Sequence, residues 1–249
     1  GGYALYNNTS ASCNTAVGKS ALFSNTTGIS NTASGRMAMY YNTTGARNAG
    51  FGTRTMYKNT TGVCNTGTGH DALYNNTTGH SNTASGTYSL YKNSTGCLNT
   101  SFGTRALQNN TTASYNIAVG ACALYANTTG AYNTAVGHEA LKTNTTADHN
   151  NAFGRQALGL NTTGTKNVAS GNYALYNNTT AANNTAMGYQ ALYTNTTGTY
   201  NTAVGVCALL SSTTASYNTA FGSLALCANT TGAQNTGVGL FVLQANTTG

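Results

Sequence analysis

Residues Tyr193 to Leu209 read YTNTTGTYNTAVGVCAL, and residues Tyr125 to Leu141 read YANTTGAYNTAVGHEAL. The two segments lie 68 residues apart, four times 17, and differ at only four places. Cutting the chain every 17 residues from Tyr6 gives fourteen full units ending at Leu243, flanked by fragments Gly1 to Leu5 and Gln244 to Gly249. Numbered from the aromatic residue, each unit follows Tyr-x-Asn-Thr-Thr-Gly-x-x-Asn-Thr-Ala-Val-Gly-x-x-Ala-Leu. Position 13 is Gly in every copy, as at Gly18, Gly35 and Gly52, and position 9 is Asn in all fourteen full copies, as at Asn14, Asn31 and Asn48. Position 17 is Leu, as at Leu22, Leu73 and Leu90, apart from Met39 and Met56. Self-similarity at a fixed short period is the mark of a repeat architecture, so residues 1–249 are expected to form a single continuous array.

Two units make 34 residues, the length of a helical repeat, but the local chemistry excludes helices. Each unit carries an invariant Gly, a usual second Gly or Ala, and an Asn-Thr-Thr run, all poor in helix interiors. The runs Asn-Thr-Ala-Val and x-Ala-Leu-Tyr suit strands, while Asn-Thr-Thr-Gly and the position 13 Gly suit corners. The expected fold is therefore all-β: a β-solenoid or β-roll of 17-residue coils. About fifteen coils, stacked at about 4.8 Å each, would give a rod of roughly 70 Å. Stacking explains the repetition, because like positions lie above one another: Asn side chains bond to the next Asn, and Leu residues form a narrow core. Position 11, mostly Ala, is expected to pack against that Leu column. Position 12 mixes Val17, Ser34, Phe51, Thr68, Ser85 and Phe102, and is expected as a core position of mixed size. Phe51, Phe102 and Phe153 fall three coils apart with smaller residues between, as interlocking packing requires. Positions 16, 17 and 1 are Ala, Leu and usually Tyr, so either the chain bends there or a second face is covered.

The run Asn-Thr-Ala-Val-Gly-x-x-Ala, as in Asn133 to Ala140 and Asn201 to Ala208, resembles the head repeat of the YadA-like trimeric autotransporter adhesins, Ser-Val-Ala-Ile-Gly-x-x-Ala. The resemblance spans about eight residues of every unit. It implies a left-handed parallel β-roll in a surface fibre, which in that family is trimeric; the inserted Asn-Thr-Thr-Gly departs from that pattern. The chain is also similar to repeat arrays of bacterial and phage fibre proteins. The shared motif is structural, so the resemblance transfers no binding residue.

Only 13 of 249 residues are charged, there is no Pro or Trp, and 17 residues are Tyr. So few charges leave a bare rod poorly soluble unless it is coated or assembled. The net charge is +7, but the bases scatter over several positions, as Lys142, Lys58, Arg47, Lys19 and Arg54 show, so no nucleic-acid stripe is expected. The acids are Asp71, Glu139 and Asp148 and the histidines His70, His80, His138 and His149, too few and too dispersed for acid–base, triad or metal chemistry. His70-Asp71 and His138-Glu139 are expected to point apart, as neighbours on a strand do. Of the six cysteines, Cys13 and Cys64 share position 8 three coils apart and Cys122 and Cys207 share position 15 five coils apart, so no bridge is expected. No run of 18 apolar residues could span a membrane. Neither end has an evident cap, as if the array were a window cut from a longer filament.

One modification motif recurs. Asn-x-Ser/Thr, the N-glycosylation acceptor, falls at position 3 as Asn8, Asn25, Asn42, Asn59, Asn76, Asn93, Asn110, Asn127, Asn144, Asn161, Asn178, Asn195, Asn229 and Asn246, interrupted only by Ser212. The alternative is an Asx corner that needs no sugar. The sequence thus leads to an extracellular structural rod or fibril, not an enzyme, without cofactor, carrying covalent glycans at position 3 and self-associating along or around the fibre. A trimeric adhesin or phage-fibre shaft, and an ice-binding solenoid using the Thr ranks of positions 4 and 5, are the alternatives.

Overall fold

The computed structural model describes residues 1–249. The chain is a β-solenoid without helices. Fourteen three-residue strands, β1 (Thr15–Val17) to β14 (Thr236–Val238), occur one per coil, and within each compact unit they pair in parallel in chain order. The chain divides into two compact units: Gly1–Thr129, with β1 to β7 (Ile117–Val119), and Gly130–Gly249, with β8 (Thr134–Val136) to β14. In each unit like positions pair: Ala16 lies opposite Ala33 in the first, and Ala186 opposite Ala203 in the second. A one-residue slip would put the small inward residue of position 11 on the outside, which holds the register.

The strand is position 10 to position 12, so the Thr-Ala-Val run behaves as expected. The second expected strand, over x-Ala-Leu-Tyr, does not form. There the backbone enters the left-handed region twice per coil, at position 15 and again at position 17, where φ runs from 47° at Leu243 to 54° at Leu5. Left-handed φ costs a non-glycine residue about 1–2 kcal/mol, but it lets consecutive side chains turn to the same side. Ala21 and Leu22, like Ala174 and Leu175, are both completely buried. Burying each Leu contributes about 1.5–3 kcal/mol, which together with the buried Ala before it and the bonds between coils offsets that cost. The backbone stays paired: Leu22 N–H donates to the Ala38 carbonyl of the next coil (3.0 Å), and Met37 N–H donates back to Lys19 of the preceding one (2.9 Å). The bend thus accounts for the apolar run at positions 16, 17 and 1, leaving the aromatic half-exposed.

The core is the Leu column packed on positions 11 and 16, and its exceptions compensate one another. Where Met39 and Met56 replace Leu, the next position 11 is Gly50 and Gly67; a Cβ on Gly50 would lie 2.9 Å from Met39 Cε and 3.2 Å from Met56 Cε. Where Ser89 replaces a buried Ala, Ser101 does too, and Ser89 Oγ donates to Ser101 Oγ (2.7 Å), which donates on to the Ala106 carbonyl (2.9 Å). Thr55 satisfies its hydroxyl on the Gly69 carbonyl (2.7 Å). Each of these core departures therefore keeps volume or hydrogen bonds balanced.

Position 13 is Gly because of close approach. Its φ lies between 126° and 142°, and a Cβ on Gly69 would sit 2.8 Å from the Gly86 carbonyl oxygen of the next coil. Position 12 faces outward, not into the core: Phe51, Phe102 and Phe153 are each more than 40% exposed. Strand alternation decides this, since position 11 between two outward neighbours must point in.

Candidate functional site

The most repeated side-chain chemistry is internal. At position 3, Asn42 Nδ2 donates one proton to Asn25 Oδ1 of the preceding coil (2.8 Å) and the other to the Gly45 carbonyl of its own coil (2.9 Å). At position 9, Asn31 Nδ2 donates to that same Gly45 carbonyl (2.8 Å), and Asn31 Oδ1 accepts the backbone N–H of Asn48 (3.0 Å). Two Asn columns thus converge on both lone pairs of the position 6 carbonyl. Asn161 and Asn178 repeat the arrangement in the second unit, at 2.8–3.0 Å. A corner whose polar groups are all paired inside can be buried at little cost.

This geometry corrects the glycan assignment. Nδ2 is the atom a sugar would occupy, and the position 3 asparagines from Asn25 to Asn229 are fully buried. Asn127 Nδ2 is bonded to Asn110 Oδ1 (3.0 Å), Asn144 Nδ2 to the Ala147 carbonyl (3.0 Å), and Asn161 Nδ2 to Asn144 Oδ1 (2.9 Å). A sugar would remove a shared proton and would need space inside the coil. Asn8 and Asn246 are half-buried, and their Nδ2 groups also donate, to the Ala11 carbonyl (3.0 Å) and to Asn229 Oδ1 (3.2 Å). Asn59, Asn76, Asn93, Asn110, Asn178 and Asn195 donate in the same way. Position 3 is Asn because of the internal ladder.

The ladder has one defect. At Ser212 the chain lacks the amide, and both Asn195 Oδ1 and Ser212 Oγ are buried without a hydrogen-bond partner.

The ionisable pairs differ from expectation in one respect. His70 and Asp71 do not point apart: Asp71 lies at φ 58°, outside any strand, and His70 Nδ1 is 3.4 Å from Asp71 Oδ2. The buried carboxylate also accepts from Arg54 (2.7 Å), whose guanidinium lies over the Tyr74 ring. Burial opposes the charge on Arg54, Asp71 favours it, and the net result lifts its pKa above the ordinary value. In the other unit Glu139 accepts from Lys142 (2.6 Å) and Gln156 (2.6 Å). The Lys142 bond, against opposing burial, holds this carboxyl below its ordinary range. The two clusters sit on position 15 turns; Arg54 and Lys142 pair with their acids, while Asp71 Oδ1 is buried without a hydrogen-bond partner. No three His, Cys, Asp or Glu side chains gather as a metal site, and all six cysteines are free thiols. Burial, with Cys207 nearby, pushes the Cys227 thiol upward.

The outer surface carries three ranks. Position 1 aromatics stack ring on ring from Tyr6 through Phe23, Tyr40, Tyr57 and Tyr74 to Tyr91, at 4.9–5.5 Å between centroids. Sequence reading missed this stack, although the aromatic consensus at position 1 was its signal. Position 12 presents uncharged side chains, mostly Val, Phe and Met, with Ser34, Thr68, Ser85 and Ser170 between them. Positions 4 and 5 present Thr, but unequally: Thr43 Oγ1 donates to the Thr60 carbonyl (3.1 Å) and Thr196 Oγ1 to Thr213 (3.1 Å), so position 4 is engaged. The double bare rank expected of an ice-binding face is reduced to position 5 alone. No helix is long and apolar enough to cross a membrane. Comparison with protein-family models, with curated proteins and with solved structures returns no match.

Proposed function

We propose that the chain is a structural element, the shaft of an extracellular fibre. The observation that supports this most directly is the ladder geometry: each coil's inward amides and backbone groups bind the same positions of its neighbours, so a longer array needs no new interaction. The scarcity of charge, 13 residues in 249, fits a surface shielded by assembly or coating. The test is electron cryomicroscopy of the purified chain. A particle of constant width with an axial repeat of about 4.8 Å is expected; a compact particle without that repeat would reject the reading. Labelling of intact source cells with an antibody to the array checks the extracellular assignment.

A second reading, lateral association of copies as in the trimeric adhesin fibres the repeat resembles, is favoured by the outward position 12. Phe51, Phe102, Phe153 and Phe221 give that face exposed apolar surface without a single charge along it. Light-scattering mass of a monomer at all concentrations would reject it.

A further inference from the structure

Position 5 is an outward position that the units have not diversified. Position 14 has drifted through Lys19, Arg36, His70, Tyr189 and Val206, and position 8 through Cys13, Arg47, Leu98 and Tyr200. Position 5 is Thr in fourteen of its fifteen copies and Ser10 in the other. The one exchange drops the methyl and keeps the hydroxyl; neither Val, which has the same branching, nor Ala, which has a small side chain, ever occurs. A preference for β-branched shape would have admitted Val, and a preference for small size would have admitted Ala. The side chain is exposed in all fifteen copies, and its hydroxyl makes no intramolecular hydrogen bond, unlike that of position 4.

Two further observations narrow the cause. The Asn-x-Thr motif could retain position 5 on behalf of a sugar on position 3, but position 3 is buried and its amide protons are spent. Moreover, Thr214 is kept where Asn is lost to Ser212, so the hydroxyl is retained without the motif. The surface around it is nearly uncharged and needs a solubilising coat.

We propose that the position 5 hydroxyls are acceptors for O-linked sugar, one per coil. In the transfer, threonine Oγ1 attacks the anomeric carbon of a nucleoside-diphosphate sugar held by a glycosyltransferase. The carbon–oxygen bond to the diphosphate breaks, the nucleoside diphosphate leaves with the electron pair, and the hydroxyl proton passes to a base of the transferase. Successive acceptors follow the stacking rise of about 4.8 Å, which admits single pyranose rings side by side. This inference does not depend on the shaft reading, since an unmodified chain could still build a shaft.

The experiment is peptide mapping, by electron-transfer fragmentation, of the chain purified from its source. Hexose or N-acetylhexosamine mass increments are expected on Thr180, Thr197 and Thr214, and none on Asn195 or Thr196. Thr214 is diagnostic, because it has no Asn two residues before it. Unmodified position 5 threonines, or sugar on Asn195, would overturn the proposal. So would thermal hysteresis by bare hydroxyls, which would make the rank an ice-facing one. A structural origin is tested in the unmodified chain from a host without glycosylation. Thr197→Val should leave amide exchange in its own and adjacent coils unchanged while Thr196→Val, which loses the bond to the Thr213 carbonyl, speeds it; equal acceleration would show that position 5 is retained for stability and would also overturn the proposal.

Discussion

Replacing Ser212 by Asn should stabilise the protein, which few polar substitutions at a buried site do. In the intact ladder Asn195 Nδ2 donates to Asn178 Oδ1 (3.1 Å) and to the Gly198 carbonyl (3.0 Å). At the next coil both partners of the missing amide are in place: Asn195 Oδ1 is buried and unpaired, and the Ala215 carbonyl accepts only from Asn201 (2.8 Å). The corner has not collapsed, since Ser212 N–H still reaches the Leu209 carbonyl (3.2 Å) and Thr213 N–H the Thr230 carbonyl (3.1 Å). An asparagine there can donate twice and accept from Asn229. At about 0.5–1.5 kcal/mol for each net bond, less about 1 kcal/mol for ordering the side chain, the gain is about 2 kcal/mol. A repeat array need not unfold in one step, so a single midpoint is a poor measure. Amide exchange in the coils around residues 195–232 reads the gain locally, and a gain of about 2 kcal/mol slows exchange about 30-fold. Ser212→Ala is the control: it removes the unpaired hydroxyl but leaves Asn195 Oδ1 unpaired, and should do little. An Asn variant that exchanges as fast as the parent, or faster, would refute the idea that the amide ladder stabilises the stack.

Leu175→Asp should disrupt its own and adjacent coils, because a charge in the Leu column has no partner, whereas Arg105→Ala on the surface should stay within about 0.5 kcal/mol; denaturant titration compares them. Leu141→Ala should cost about 2–5 kcal/mol by the same measurement, as for other fully buried leucines. Gly69→Ala combines φ 126° with a backbone clash across the coil and should cost on the order of 3 kcal/mol or more, or prevent folding, as circular dichroism would show. Glu139 titrates below its ordinary value in the folded chain, so its stabilising contribution is present at neutral pH and above the unfolded value, and is lost as pH falls through the folded one. Glu139→Gln should remove that part of the acid-dependent loss of stability, measured by denaturation between neutral and acid pH.

The 17-residue period, the all-β class, the strand over Thr-Ala-Val and the pairing of the Leu column with position 11 are legible in the chain, whereas the second strand read over x-Ala-Leu-Tyr does not form. They depend on like residues recurring at like positions, which is a property of the sequence alone. The direction of each side chain at the bends is not legible. Alternation predicts opposite faces for Ala and Leu, yet left-handed φ at Leu22 and its equivalents turns both inward, and that conformation is tolerated only because the neighbouring coils enclose the Leu. The same limit explains the glycan assignment. Asn-Thr-Thr reads identically whether the amide faces water or the position 6 carbonyls, because an Asn corner is favourable either way. Only closure of the coil, which brings Asn31 and Asn42 onto the one Gly45 oxygen, decides that the asparagines are structural and that position 5 carries the free hydroxyl.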